Sequence, residues 1–459
     1  MSRSKQTSIW YTILSLRNQC VENILIALKQ QDIEPLHFEQ KTEAVFGIIF
    51  ISGNTNYEQL ISFLNFQVKL RGNRIIVINT INAKFDNYEV LKILNYGAEY
   101  FFECTALNQV FDVITDKINR WRNIESILQS TTVKNMIAGE SRGIKKLLRN
   151  LIDVAMYSTE SVLIQGGRGT GKELVARLIH ELHQSKIRGE LVVVDCTTLR
   201  SELSGSELFG HEKGAYTGAD HAREGAFALA NNGTLFLDEV GEMPLPMQAE
   251  LLRIIQEKTF KKLGSNIWRQ VNFRLVCATN RDLEKECEQG NFRKDLSDRI
   301  SSWKCTMPSL DERKEDIPIL VKYFLKKKFP NELPVIDDAV HQYLIERNYP
   351  GNIRELQNLV KRLCLRYIGK GPITLGDIPE YDRVLTDASE INWYENPMLG
   401  FSIIAALKQG YDAKHIVDTV KSLTTKLALT LAGNNREMSQ LLGKSERWIQ
   451  LQRAKEKIN

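Results

Sequence analysis

The chain has 459 residues, enough for about three domains at roughly 150 residues each, which excludes a single small disulfide-stapled scaffold. Apolar residues make up 43% and charged residues 25%. No run approaches the roughly 18 uninterrupted apolar residues of a membrane-spanning helix, so a cytoplasmic protein without membrane contact is expected. The net charge of +5 is concentrated at one end, since residues 401–459 carry ten Lys/Arg against five Asp/Glu; this fits nucleic-acid contact or a solvated basic helix.

In chain order, Ile9–Leu16 reads as a strand, Val21–Lys29 as a helix, Val45–Ile51 as a strand and Tyr57–Leu70 as a helix. Arg74–Asn79 and Tyr100–Phe102 continue as strands, with Tyr88–Asn95 and Leu107–Trp121 helical. This alternation, with four of its strands placed, predicts a five-stranded, doubly wound parallel α/β domain over residues 1–122. A polar connector is expected at 123–135. A second α/β domain is expected over 136–372, with strands at Ser161–Gln165, Leu191–Asp195, Thr234–Leu237 and Arg274–Ala278 and a helical lid from about residue 307. Residues 373–400, with Pro379 and Pro397, read as a linker. Residues 401–459 form the basic tail.

Seven cysteines at 20, 104, 196, 277, 287, 305 and 364 include no CxxC pair, so reduced, mostly structural thiols are expected. His180 and His183 lie one turn apart without an HExxH pattern, and no structural metal is expected.

The chemistry lies in the middle. The strand Ser161–Gln165 runs into Gly166, Gly167, Arg168, Gly169, Thr170, Gly171, Lys172 and Glu173, followed by a helix. Such a loop lets backbone N–H groups approach phosphate oxygens at a helix N-terminus, while Lys172 reaches the β- and γ-phosphates of ATP. Glu173 stands where a hydroxyl usually meets Mg2+, and its carboxylate can reach the ion directly or through water. The strand Thr234–Leu237 delivers Asp238 and Glu239 to its C-terminal end, Asp238 to hold Mg2+ and Glu239 to orient and deprotonate the attacking water. Asn280, at the end of the next strand, can position water or sense the γ-phosphate. Arg293 and Arg299 suit either surface ion pairs or arginine fingers. Arg354, in the first turn of a helix after Tyr349-Pro350-Gly351, can point at phosphate or serve a capping ion pair.

Residues 207–219, ELFGHEKGAYTGA, with NGTLFLDEVGEMPLPMQ at 232–248, FRKDLSDR at 292–299 and YPGNIREL at 349–356, resemble the AAA+ domain of bacterial sigma-54-dependent activators. That family also carries Glu after the P-loop lysine. The resemblance implies an oligomeric ring, a hexamer on that family's pattern, with ATP between subunits. It implies Arg293 and Arg299 acting in trans, Asn280 as first sensor and Arg354 as second. The loop Gly214, Ala215, Tyr216, Thr217, Gly218, Ala219 would contact sigma-54 within the closed RNA polymerase holoenzyme complex, with Tyr216 replacing the family's Phe. Two glycines allow an aromatic to stand exposed at a mobile tip.

The N-terminal domain resembles a response-regulator receiver. Its strand ends offer no acidic pair, acceptor Asp or Lys, and only Thr80 fits the pattern, so a pseudo-receiver is expected, regulated by ligand, partner or expression level, or serving dimerisation. The tail resembles a Fis-type helix-turn-helix for double-stranded upstream DNA. Helices are expected at Leu423–Leu431, Arg436–Leu442 and Ser445–Lys457. Glu446, Arg447, Trp448 and Gln450 would face bases; Lys444, Arg453 and Lys455 would meet phosphates, and Ser445 would cap the last helix. Two readings of function stay open: an ATPase that remodels sigma-54 polymerase, or a DNA-binding regulator using nucleotide only as a switch.

Overall fold

The computed structural model describes residues 7–383 apart from 15–17, 39–44, 53–54, 71, 81–84, 105–106, 184–188 and 200–203. Beyond 402 it describes 403, 406–408, 410–431, 438–439, 442–445 and 447–450. It divides into two units, 1–379 and 380–459, each described by itself.

The first unit begins with β1 (Thr7–Ile13), α1 (Gln19–Gln30), β2 (Ile33–His37), β3 (Phe46–Ile51), α2 (Tyr57–Asn65), β4 (Arg74–Asn79), α3 (Asn87–Asn95), β5 (Tyr100–Glu103) and α4 (Leu107–Leu128). The strands pair in parallel in the order β2-β1-β3-β4-β5, the doubly wound arrangement expected. FGIIFI and RIIVIN are buried at every position, which continuous apolar runs require of central strands covered on both faces. Gly47 is needed in β3, because a Cβ there would lie 2.1 Å from the Trp10 ring. Strand β2 carries no clear sequence pattern, because IEPLH is short and contains Pro35, which suits an edge.

At the C-terminal edge of this sheet, Asn18 Nδ2 donates to Thr80 Oγ1 at 3.0 Å, and Thr80 Oγ1 donates to the Ile51 carbonyl. The end of the first expected strand, residues 15–17, lies outside the described residues. One expectation is corrected here: Cys20 and Cys104 are joined as a disulfide, their Cα atoms 7.3 Å apart. Residues 84 apart in sequence meet because α1 and the end of β5 converge on the same edge, a proximity no local spacing encodes. The other five cysteines are free.

The stretch expected as a connector is helical. It comprises the end of α4 and α5 (Thr131–Met136). Arg120 of α4 pairs with Asp153 at 2.6 Å, and Glu125 with Arg149; both partners lie on α6 (Arg142–Tyr157). Apolar residues at 144, 147, 148, 151, 152 and 155 give α6 one buried stripe.

The middle domain continues with β6 (Val162–Gln165), α7 (Lys172–Leu182), β7 (Leu191–Asp195), α8 (Ser204–Phe209), β8 (Gly210–His211), β9 (Arg223–Glu224), α9 (Ala226–Leu229), β10 (Thr234–Asp238) and α10 (Leu245–Glu257). Then come β11 (Thr259–Phe260), β12 (Arg269–Gln270), β13 (Arg274–Thr279), α11 (Leu283–Glu288), α12 (Lys294–Ile300) and β14 (Trp303–Thr306). The parallel sheet runs β14-β6-β13-β10-β7, with one apolar cluster on each face. The lid packs α13 (Ile317–Lys328), α14 (Asp338–Glu346) and α15 (Asn352–Arg366) around Leu320, Leu344, Tyr349 and Leu359.

In the second unit a helix spans Ala413–Leu431, longer than expected. Ala428, Met438 and Ile449 form a small core, with Leu442 and Trp448 packed against it. Among the described residues no helix is long and apolar enough to cross a membrane.

Candidate active site

The phosphate loop leaves β6 after Gln165 and enters α7 at Lys172. Gly169 (φ +76°) and Gly171 (φ +103°) hold left-handed backbone that L side chains rarely adopt. A Cβ at Gly169 would also lie 2.3 Å from the Gly351 carbonyl. Thr170 Oγ1 donates to the Gly167 carbonyl at 2.9 Å, closing the turn.

Lys172 is 7% exposed, and its ammonium donates to the Gly166 carbonyl at 2.9 Å and to Glu239 Oε1 at 3.2 Å. The second Glu239 oxygen accepts the Asn280 backbone N–H at 2.9 Å. Glu239 itself holds left-handed backbone (φ 50°, ψ 48°) immediately after β10, a conformation costing a non-glycine residue roughly 1–3 kcal/mol. Parallel pairing of β10 with β13 sets Leu237 opposite Cys277, which brings the Asp238-Glu239 pair and Asn280 to one edge. Asp238 Oδ1 accepts the Glu239 N–H at 3.1 Å. Burial, and then the neighbouring Glu239 charge, push the Asp238 carboxyl above its ordinary range, with Lys172 opposing. Glu173 faces elsewhere: its carboxylate is paired with Arg177 one turn along, at 2.7 Å and half exposed. Among the described residues no cluster of three His, Cys, Asp or Glu is poised to hold a metal.

The lid closes on this loop through its backbone. Ile353 N–H donates to the Gly169 carbonyl at 3.0 Å, and Asn352 Nδ2 donates to the Arg168 carbonyl at 3.0 Å. The Asn352 Oδ1 accepts the Leu310 N–H. Arg354 therefore stands beside the loop, its Cβ 3.0 Å from the position a Gly169 Cβ would take. Buried Arg313 donates to the Thr170 carbonyl at 3.2 Å. Neither Asn352 nor Arg313 was singled out from sequence. Asn352 sits after Pro-Gly with φ +54°, a conformation asparagine tolerates, and that was the available signal; Arg313 lies in a charged run that reads as solvated surface.

The two finger candidates lie elsewhere. The Arg299 carbonyl accepts Ser161 Oγ at 2.7 Å, and Ser161 precedes β6, whereas the phosphate loop follows it. A four-residue strand separates the two edges by roughly 13 Å, so Arg299 is anchored at the edge opposite its own nucleotide loop. Arg293 pairs with Asp295 at 2.7 Å on the surface. Its backbone N–H is held by Gln248, fully buried, which also donates to the Met243 and Asn291 carbonyls.

The loop Gly214–Ala219 projects from the β8–β9 hairpin. Gly214 N–H donates to the Ala219 carbonyl and Ala219 N–H to the Tyr216 carbonyl, with Gly214 and Gly218 at φ +82° and +98°. Tyr216 is 38% exposed, its ring edge-on to His211 at 5.1 Å. Ala215 and Thr217 complete the tip. Below it, Lys262 is 5% exposed between Glu224 at 2.6 Å and Glu212 at 3.6 Å, fastening the hairpin to the β11 segment.

In the tail, Ser445 Oγ accepts the Trp448 N–H at 3.3 Å, the geometry of a helix cap. Lys444, Arg447 and Gln450 are exposed. Trp448 differs from the expectation: its ring packs on the small core, half-buried, because an indole gains more from apolar contact than from solvent. Glu446 and Arg453 lie outside the described residues.

Known proteins share this arrangement. The Sigma-54 interaction domain family matches residues 137–306, and the AAA+ ATPase lid domain family matches 311–390. The transcriptional regulatory protein ZraR of Klebsiella oxytoca is 39% identical over 300 residues, covering 64% of this chain and 67% of that protein. ZraR of Salmonella typhimurium is 45% identical over 296 residues, covering 63% and 67%. The regulatory protein AtoC of Escherichia coli is 40% identical over 275 residues, covering 59% of each chain. The chain thus matches between about three fifths and two thirds of the length of these relatives. The crystal structure of NtrX from Brucella abortus has a TM-score of 0.50 at 20% identity, covering 96% of this chain and 98% of that one, a likeness of fold.

Proposed function

This chain belongs to the sigma-54-dependent transcriptional activators, and we propose that its AAA+ ATPase domain hydrolyses ATP in a ring to remodel the closed sigma-54 RNA polymerase holoenzyme. Double-stranded upstream DNA is held by the C-terminal helices through Lys444, Arg447 and Gln450, with Glu446 and Arg453 as further candidates. Ser445 and Trp448 build the helix that presents them.

Backbone N–H groups of residues 166–171 and the Lys172 ammonium receive the phosphates. Asp238 fits Mg2+, since that ion takes one or two carboxylates together with phosphate oxygens; Glu173 joins it only on release from Arg177. Bound there, Mg2+ neutralises charge developing on the phosphates. Glu239, freed from Lys172, turns to the attacking water and accepts its proton. Asn280 and Arg354 report the γ-phosphate from strand and lid. Arg293 and Arg299 act on the adjacent subunit's nucleotide, in a hexamer on the family's pattern.

One observation carries the coupling: Tyr216 stands exposed at the tip of a glycine-bounded loop whose base is fastened by the Lys262 ion pairs. Such a tip transmits movement of its base to a partner docked on the ring. Tyr216→Ala should keep ATPase within about twofold of the parent while abolishing open-complex formation, because the truncation removes only an exposed ring. Normal open-complex yield from that variant overturns the assignment.

A further inference from the structure

A cavity of about 510 Å³ opens at the edge of the sheet opposite the phosphate loop. Its lining includes Lys258, Arg274 and Arg299, with Glu160 the sole carboxylate. Arg274 is committed to the fold: its guanidinium donates to the Val154 and Ala155 carbonyls at 3.0 Å, satisfying the end of α6. Lys258 and Arg299 are not committed in this way. Neither has an ion-pair partner among the described residues, and the ammonium of Lys258 lies over the Phe273 ring, 5.5 Å from its centroid.

Lys258 also occupies left-handed backbone, φ +54°, closing α10 with its N–H on the Ile254 carbonyl. Glycine is the relaxed occupant of such a cap, so a charged side chain there is held against a conformational cost. Burial and the Arg299 charge lower the Lys258 pKa, with the Glu160 carboxylate opposing; two like charges thus face one recess against a single carboxylate. Their missing counterpart is an anion, and on the ring reading Arg299 faces the subunit boundary.

We propose that Lys258 is a second trans-acting cation, which together with Arg299 receives the terminal phosphate of the nucleotide bound to the adjacent subunit. The inference rests on the ring reading above. It adds a residue outside the FRKDLSDR motif to the machinery, and the class of ligand is a nucleoside triphosphate presented by a second copy of this chain.

Lys258→Gly suits the test because glycine relieves the left-handed backbone, so loss of activity cannot be put down to strain. The full-length variant should melt no lower than the parent and bind ATP normally, with kcat reduced on the order of tenfold or more. Lys258→Arg should retain most of the parental rate. Mixing Lys258→Gly with Lys172→Ala, which lacks its own phosphate contact but presents an intact Lys258, should restore hydrolysis well above the sum of the two alone. Unchanged kcat in Lys258→Gly, or a mixture no better than that sum, overturns the proposal. If the parental chain hydrolyses ATP at its full rate while sedimenting as a monomer, the ring reading itself fails, whatever Lys258 does.

Discussion

The Lys172 ammonium donates to Glu239 across 3.2 Å, so the proposed phosphate-binding cation and the proposed catalytic base neutralise one another. On the proposed mechanism, nucleotide binding exchanges this pair for a lysine–phosphate contact and frees Glu239 for water. Glu239→Gln removes the competing charge. It should bind ATP a few-fold more tightly while hydrolysis falls at least about a hundredfold, the scale of losing a general base. Fluorescent-nucleotide titration and phosphate release check the two halves. Weaker binding would show that the pair holds the loop open rather than blocking it.

Asp238 supplies a pH signature. Its carboxyl is raised by burial and by Glu239, so the ionised form costs the native state stability at pH values above its folded pKa. That cost vanishes below the ordinary aspartate value of about 4, where folded and unfolded chains are both protonated. Asp238→Asn should therefore melt above the parent at pH 7, converge with it near pH 4 and have no ATPase. Equal melting temperatures at pH 7 contradict this reading.

Legibility in the sequence followed locality. The phosphate loop, the Asp238-Glu239 pair and the Gly214–Ala219 loop were readable because each places its functional atoms within a few residues of its backbone signal. Strand β2 was hidden by its length and Pro35, and the Cys20–Cys104 pairing by its separation. The lid's grip on the phosphate loop joins residues more than 180 positions apart, as in the Asn352 bond to the Arg168 carbonyl. Trp448 reads as a base contact only while the tail's last helix is taken alone; the small core claims its apolar face.

Asn352 makes the lid-to-loop contact testable. Alanine there leaves the Leu310 N–H and the Arg168 carbonyl without their partner and keeps the left-handed backbone, so the loss should be about 2–4 kcal/mol. The increase in melting temperature produced by ATP should shrink with it. Calorimetry with and without nucleotide reads both, and an unchanged ATP-induced shift means the lid does not sense the loop through this side chain.

Gln248 holds three backbone groups around the Arg293 segment. Gln248→Leu preserves volume but strands them, for a loss of about 2–4 kcal/mol, and should lower the concentration-dependent part of ATPase more than nucleotide affinity. Gln248→Glu keeps one acceptor for the Arg293 N–H and should recover part of that stimulation. Identical behaviour of the two variants would remove Gln248 from the positioning of Arg293.

The most direct measurement is open-complex formation by the purified full chain and sigma-54 polymerase on a promoter carrying its upstream DNA site. The comparison is ATP, a non-hydrolysable analogue, and ATP with Glu239→Gln. The account predicts open complexes with ATP and the parental chain alone. Equal yields with the analogue or with Glu239→Gln would contradict it and leave nucleotide as a switch without work.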